Sequence, residues 1–368
     1  MTGAPLCKWR CSTMAVTLKP LAEQVMVIVG GSSGIGLATA RRAAGAGARV
    51  VLAARNSEAL DQIVVAIRNT GGKATALDLD IADAGAAERL RDHALETFGR
   101  IDTWVNDAAA ALYARLDDVT MDEHRRVFDV GYFGLVEASL IAARHLTKDG
   151  GGALINLGSV LSHRAIPLQG PYCAMKAAVM QFTDALRMEL EQAGAPVSVT
   201  LIKPAAIDTM YPEHARNKLD APARLPQPLY DAELVAKAIC FAATHPRRSL
   251  VVGGGGLALT TLAPALPGLA DKAMEWIGGE VSQTTDVPPA PGTSDNLFEP
   301  KVDGRVAGNL DPLVRRTSLT LEAQMHPLAT AAVLGSIVAA GLFLWAREEG
   351  RDVGVSEARR RIRAAGLS

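Results

Sequence analysis

Val25-Met-Val-Ile-Val29 runs directly into Gly30-Gly31-Ser32-Ser33-Gly34-Ile35-Gly36, and this stretch decides the fold. Five consecutive apolar residues predict a strand buried on both faces, because a half-solvated strand would alternate apolar with polar. Glycine at 30, 34 and 36 permits a tight turn and brings backbone N–H groups close to a bound group. A helix is expected from Gly34 to about Ala48, and its N-terminus favours negative charge. Strand, glycine turn and helix together read as a phosphate cradle. Strand signals recur at residues 49–54, 74–79, 101–105, 153–157, 197–202 and 250–252. Helical stretches at 57–70, 83–98, 121–146, 170–192 and 232–244 separate them, and a Pro-rich excursion spans 204–228. Strict alternation of this kind implies right-handed crossovers and an α/β, doubly wound, parallel seven-stranded sheet. Such sheets bind ligands at the carboxyl ends of their strands.

The composition removes other classes. Of 368 residues 49% are hydrophobic and 21% charged, with 38 basic against 39 acidic side chains. A near-neutral balance excludes the basic surplus of a nucleic-acid-binding protein. Collagen-like, coiled-coil and wholly disordered readings fail on the same figures. Cys7, Cys11, Cys173 and Cys240 are too few and scattered for a disulfide framework, which points to a reducing compartment. Neither the cysteines nor the seven histidines show metal-ligand spacing, so no metal is expected.

Five segments follow from these patterns: an N-terminal extension (1–17), the alternating domain (18–256), an apolar stretch and polar linker (257–326), a candidate membrane helix (327–346) and an Arg-rich tail (347–368). Residues 328–345 carry no charge; as a helix they would be about 27 Å long, against a hydrocarbon core roughly 30 Å thick. Trp345 and Arg347 suit an interfacial anchor. A buried helix at a subunit interface is the competing reading. The arginines of the tail favour a cytoplasmic end, and a domain using the cytoplasmic nucleotide pool favours the same side, which one crossing cannot satisfy.

Three residues carry the expected chemistry. Ser159 follows the fifth strand on a turn, and Tyr172 and Lys176 lie four apart on one helix face. A phenol has an ordinary pKa near 10; an ammonium nearby would lower it, and a serine hydroxyl could orient a carbonyl or alcohol. Beside a nicotinamide, the trio suits hydride transfer between a ketone and a secondary alcohol. At the end of the second strand stands Arg55, with no carboxylate in the next position, so a 2′-phosphate is accommodated and NADP(H) is expected over NAD(H).

With these motifs in order, residues 18–256 resemble the short-chain dehydrogenase/reductase family, whose fold is a Rossmann sheet. Gly30, Ser32, Ser33, Gly34, Ile35 and Gly36 lie in the stretch that matches its glycine motif, with Val29 in place of a threonine. The resemblance implies that Asp80 and Ile81 contact adenine, that Asn106 lines the cofactor site, and that Pro204, Ile207 and Thr209 hold the nicotinamide amide. It implies Ser159, Tyr172 and Lys176 as the catalytic group, Lys176 also binding the nicotinamide ribose. It further implies a cytoplasmic oxidoreductase acting on a small carbonyl or alcohol, apolar if the tail meets a membrane, and a homo-oligomer. Two departures stand out: Asp107 replaces an asparagine, and Gly131 stands where the family has its fourth catalytic asparagine. On their account the alternative is a non-catalytic, nucleotide-binding membrane adaptor.

Overall fold

The structure, a computed structural model, describes residues 16–261, 263, 265–285, 294–301, 304–309 and 313–340. Its centre is a parallel sheet of β1 (Val25–Val29), β2 (Arg49–Ala54), β3 (Lys73–Asp78), β4 (Thr103–Asn106), β5 (Gly152–Leu157), β6 (Val197–Pro204) and β7 (Ser249–Val252). In space the order is β7-β6-β5-β4-β1-β2-β3. The chain leaves β1 toward β2 and β3, then returns to its other side with β4. Val29 pairs with both Ala53 and Asn106, so a crevice opens at the carboxyl ends of β1 and β4 where the strand order reverses. Every residue of β1 is buried, which is why its run is apolar without alternation.

A polar network lies inside this core. Trp104 Nε1 donates to Asn106 Oδ1 (2.9 Å), Asn106 Nδ2 donates to Asn156 Oδ1 (2.9 Å) and Ser139 Oγ (3.0 Å), and Asn156 Nδ2 donates to Thr183 Oγ1 (3.1 Å). Buried amides are costly unless paired; here they tie β4 and β5 to the helices Gly134–Lys148 and Gly170–Gln192.

Several boundaries differ from the sequence reading. The third helix begins at Ala86 rather than residue 83, because Gly85 sits before it at φ 72°. The single long helix expected over 121–146 is three pieces: Met121–Phe128, a wider π-type turn over Asp129–Phe133, and Gly134–Lys148. Gly131 lies in that turn, and a Cβ there would meet Met175 Cε at 2.6 Å and Sδ at 2.7 Å. A buried methionine thus fills the space that a larger residue at 131 would need. The Pro-rich excursion is also ordered. Ile207–Asp208 pairs with Leu229–Asp231, and Arg216–Asn217 pairs with Leu112–Tyr113, closing a cover over the crevice.

The polar linker expected within 257–326 is not an open connection among the described residues. Leu297 is fully buried in the main core, and Arg216 Nε donates to Asp295 Oδ2 at 2.9 Å. This docking rests on partners far away in sequence, which composition does not reveal. Further on, the chain divides into a second compact unit from Glu322. There the helix Pro327–Ala340 exposes Leu328, Val333, Leu334, Ile337 and Val338. No single helix among the described residues is long and apolar enough to cross a membrane. Only Leu319–Met325 taken together with Pro327–Ala340, across the break between them, would suffice by length and composition. Residues 341–346 of the candidate membrane helix, the tail 347–368 and Cys7 and Cys11 lie outside the described residues.

Candidate active site

The carboxyl ends of β1, β2, β4, β5 and β6 converge on a cavity of about 460 Å³, a size typical of ligand sites. Its lining runs from Gly30, Ser32, Ser33, Gly34 and Ile35, past Arg55, Asp80 and Ile81, to Ser159, Tyr172 and Lys176, and on to Pro204, Ile207 and Thr209. Residues from six separate stretches of the sequence thus meet in one space. Two expected contacts fall outside that lining. Asn106 is the hub of the buried network described above, its amide committed to β4 and β5. Gly36 faces the turn itself: a Cβ there would lie 2.1 Å from the Gly30 carbonyl oxygen. Gly30 adopts φ 91°, and a Cβ on it would meet the Ala108 nitrogen at 2.7 Å. Both glycines keep the turn closed onto the residues that follow β4.

The reacting end is built on β5 and on the helix Gly170–Gln192. Ser159 starts a single helical turn, Val160–Ser162, and its Oγ accepts from the Leu161 N–H at 3.1 Å. Lys176 is buried; its Nζ donates to the Leu157 carbonyl at 2.7 Å and lies 5.7 Å from the centre of the Tyr172 ring. Tyr211 stacks edge-on against Tyr172, ring centres 5.3 Å apart, and its hydroxyl donates to Gln169 Oε1 at 2.9 Å.

The electrostatics run against the sequence expectation at one point. Desolvation holds the Tyr172 phenol above its ordinary pKa, the hydrogen bond with Ser159 opposes it, and the charges of Cys173 and Asp107 add to the rise. Lys176 was expected to lower that value. Its own charge is discouraged by burial, which pulls its pKa down, with Asp107 partly restoring it. Burial likewise pushes Asp107 well above the carboxylate range, against the charge of Lys176 and a hydrogen bond from the Gly36 N–H. Asp107, which the sequence reading noted as a replacement for an asparagine, lines the cavity. Burial pushes the Cys173 thiol up to about 11, so it is not a nucleophile at neutral pH. Among the described residues no group of three or more His, Cys, Asp or Glu is placed to hold a metal.

The far wall is apolar. Leu161, Ile166, Leu225, Leu259, Met274 and Ile277 face the cavity, joined by Tyr211, His214 and Tyr230 of the Pro-rich cover. The apolar members come largely from segments the sequence reading treated as connections.

Comparison with known proteins agrees with this geometry. The family profile described as short chain dehydrogenase matches residues 24–220. An uncharacterized oxidoreductase of Bacillus subtilis, YxnA, is 41% identical over 324 residues, 88% of this chain and 91% of its own length. A 3-oxoacyl-[acyl-carrier-protein] reductase of Synechocystis is 32% identical over 238 residues, 63% of this chain and 94% of its own. Among solved structures, an alcohol dehydrogenase of the archaeon Thermococcus sibiricus, complexed with 5-hydroxy-NADP, is similar at a TM-score of 0.54 and 25% identity. That likeness covers 62% of this chain and 95% of the other.

Proposed function

The chain belongs to the short-chain dehydrogenase family of oxidoreductases acting on CH–OH groups, and from that premise we propose that it interconverts a carbonyl and a secondary alcohol with NADP(H). One observation carries the reading: a single cavity is lined by the glycine turn, by Arg55 and by Ser159, Tyr172 and Lys176. The residues fit a nicotinamide dinucleotide. The Gly30–Ile35 turn and the helix start behind it give a place for its pyrophosphate, Arg55 a guanidinium for a 2′-phosphate, Asp80 and Ile81 an edge for adenine, and Pro204, Ile207 and Thr209 a rim for the amide.

When bound, the reduced nicotinamide supplies the hydride that adds to the carbonyl carbon. The chain supplies the proton. Tyr172, a phenol that burial raises further above neutral pH, donates to the carbonyl oxygen as negative charge grows there, and Ser159 orients that oxygen. The phenolate left behind is met by the Lys176 ammonium near its ring. Ketone, hydride and proton thus give the alcohol, and the reverse path returns the proton to Tyr172. The apolar wall favours an apolar substrate. The dependence on a nucleotide pool favours the cytoplasm.

A panel of ketones and aldehydes with NADPH and NADH, followed by absorbance of the reduced ring, tests the proposal; failure of every substrate to oxidise either cofactor would sink it. Two variants refine the reading. Arg55→Ala is expected to weaken NADPH by about tenfold to a hundredfold, the worth of a charge-assisted phosphate contact, while NADH changes little. Equal losses for both cofactors would remove Arg55 from a 2′-phosphate role. In Asp107→Asn, a negative charge that raises the Tyr172 pKa disappears. Alcohol oxidation needs the phenolate, so the acid limb of its kcat/KM profile is expected to move to lower pH. A limb that stays in place, or moves up, would contradict the assignment.

A further inference from the structure

Residues 294–301 and 304–309 cross the mouth of the dinucleotide crevice as a strap. At one end the buried Leu297 pins the strap to the core, and Arg126 Nε donates to its carbonyl at 2.8 Å. The strap then follows the end of β2. Arg55 donates to the carbonyls of Asn296 and Phe298, the latter at 2.9 Å, and Asn56 Nδ2 donates to the Lys301 carbonyl at 2.9 Å. From there it reaches the glycine turn: the Gly304 N–H donates to the Ser32 carbonyl and the Gly34 N–H to the Arg305 carbonyl, both at 3.0 Å. At its far end Arg305 Nη2 donates to Glu213 Oε2 at 2.8 Å. One segment therefore touches both places where a dinucleotide carries phosphate.

We propose that this strap is a fourth wall of the cofactor site, that Lys301 adds a cation for the cofactor phosphates, and that the strap must lift for cofactor to enter or leave. The inference rests on the nucleotide reading above. The strap roofs the cavity without filling it, since Asn296, Pro300 and Lys301 line open space shared with the glycine turn. Lys301 sits between the Arg55 edge and the turn, its Nζ donating to the Glu213 carbonyl at 2.8 Å. A phosphate oxygen is a stronger acceptor for an ammonium or guanidinium than a carbonyl is. The bonds that hold Arg55 and Lys301 to backbone are therefore ones a phosphate can replace. Nearby, Asp80 is paired with Arg126 and, at 3.8 Å, with Arg55 itself, so its charge is compensated.

Stopped-flow fluorescence of NADPH and NADH with the full chain tests this. Lys301→Ala is expected to raise Kd for both cofactors by about tenfold, unlike Arg55→Ala, which discriminates between them. Leu297→Ala releases the anchor and is expected to raise the NADPH release rate by about tenfold or more, with faster amide exchange confined to residues 294–301 and 304–309. Should Leu297→Ala fail to fold, Asp295→Asn, which breaks only the tie to Arg216, is expected to act in the same direction. If wild type binds neither cofactor, the nucleotide reading fails and the strap with it. If wild type binds but these variants bind and release like it, the strap proposal alone is overturned. A Kd that falls in them overturns it too, because the strap would then be blocking the site.

Discussion

Tyr172→Phe is expected to lower kcat for carbonyl reduction by about a thousandfold, the usual worth of a positioned general acid, with NADPH affinity unchanged. The phenylalanine keeps the ring and its edge-on contact with Tyr211 and removes only the hydroxyl that gives the proton. Removal of that hydroxyl also frees Ser159 of its partner, yet Ser159 Oγ still accepts from the Leu161 N–H, so the turn that carries it is preserved. Steady-state rates with NADPH titrated in parallel decide the matter. A variant that turns over within a few-fold of wild type would exclude Tyr172 as the acid. Loss of NADPH binding in step with rate would make it a structural residue.

Gly36→Ala is expected to damage both fold and binding. The added Cβ would lie 2.1 Å from the Gly30 carbonyl oxygen and 2.9 Å from its carbon, and both are backbone atoms of the turn. No rotamer relieves such a contact, so the helix start must move away from β1. Overpacking of this kind costs about 1–3 kcal/mol or more. Displacing the turn's N–H groups by an ångström is enough to lose about a hundredfold in a reaction that depends on their placement. Calorimetry and NADPH titration on the same preparation check the two effects. An alanine variant with the wild-type Tm and affinity would show that the turn has room the structure denies.

The readable and unreadable parts of the site divide along physical lines. The strands were legible because burial on both faces forces continuous apolar runs, and the Tyr172–Lys176 pair because a helix places residues four apart side by side. Asn106 was assigned to the cavity on resemblance, whereas its amide is spent on Trp104, Asn156 and Ser139. The direction of the Tyr172 shift was read from its neighbour's charge alone. Burial acts on both members of the pair, raising the phenol and lowering the ammonium, and only the packed structure shows that burial.

Residue order alone determined the α/β class, the seven parallel strands and the glycine turn. These depend on periodicity and on spacing within a few residues, which the chain carries in linear form. Tertiary structure decided what lies over and around them. The segment read as a polar linker binds Arg55, Asn56 and the glycine turn from more than two hundred positions away, and Met175 occupies the space beside Gly131. Contacts between distant residues are set by how surfaces fit once the sheet has formed, and a polar stretch carries no periodic mark of the groove it will cross.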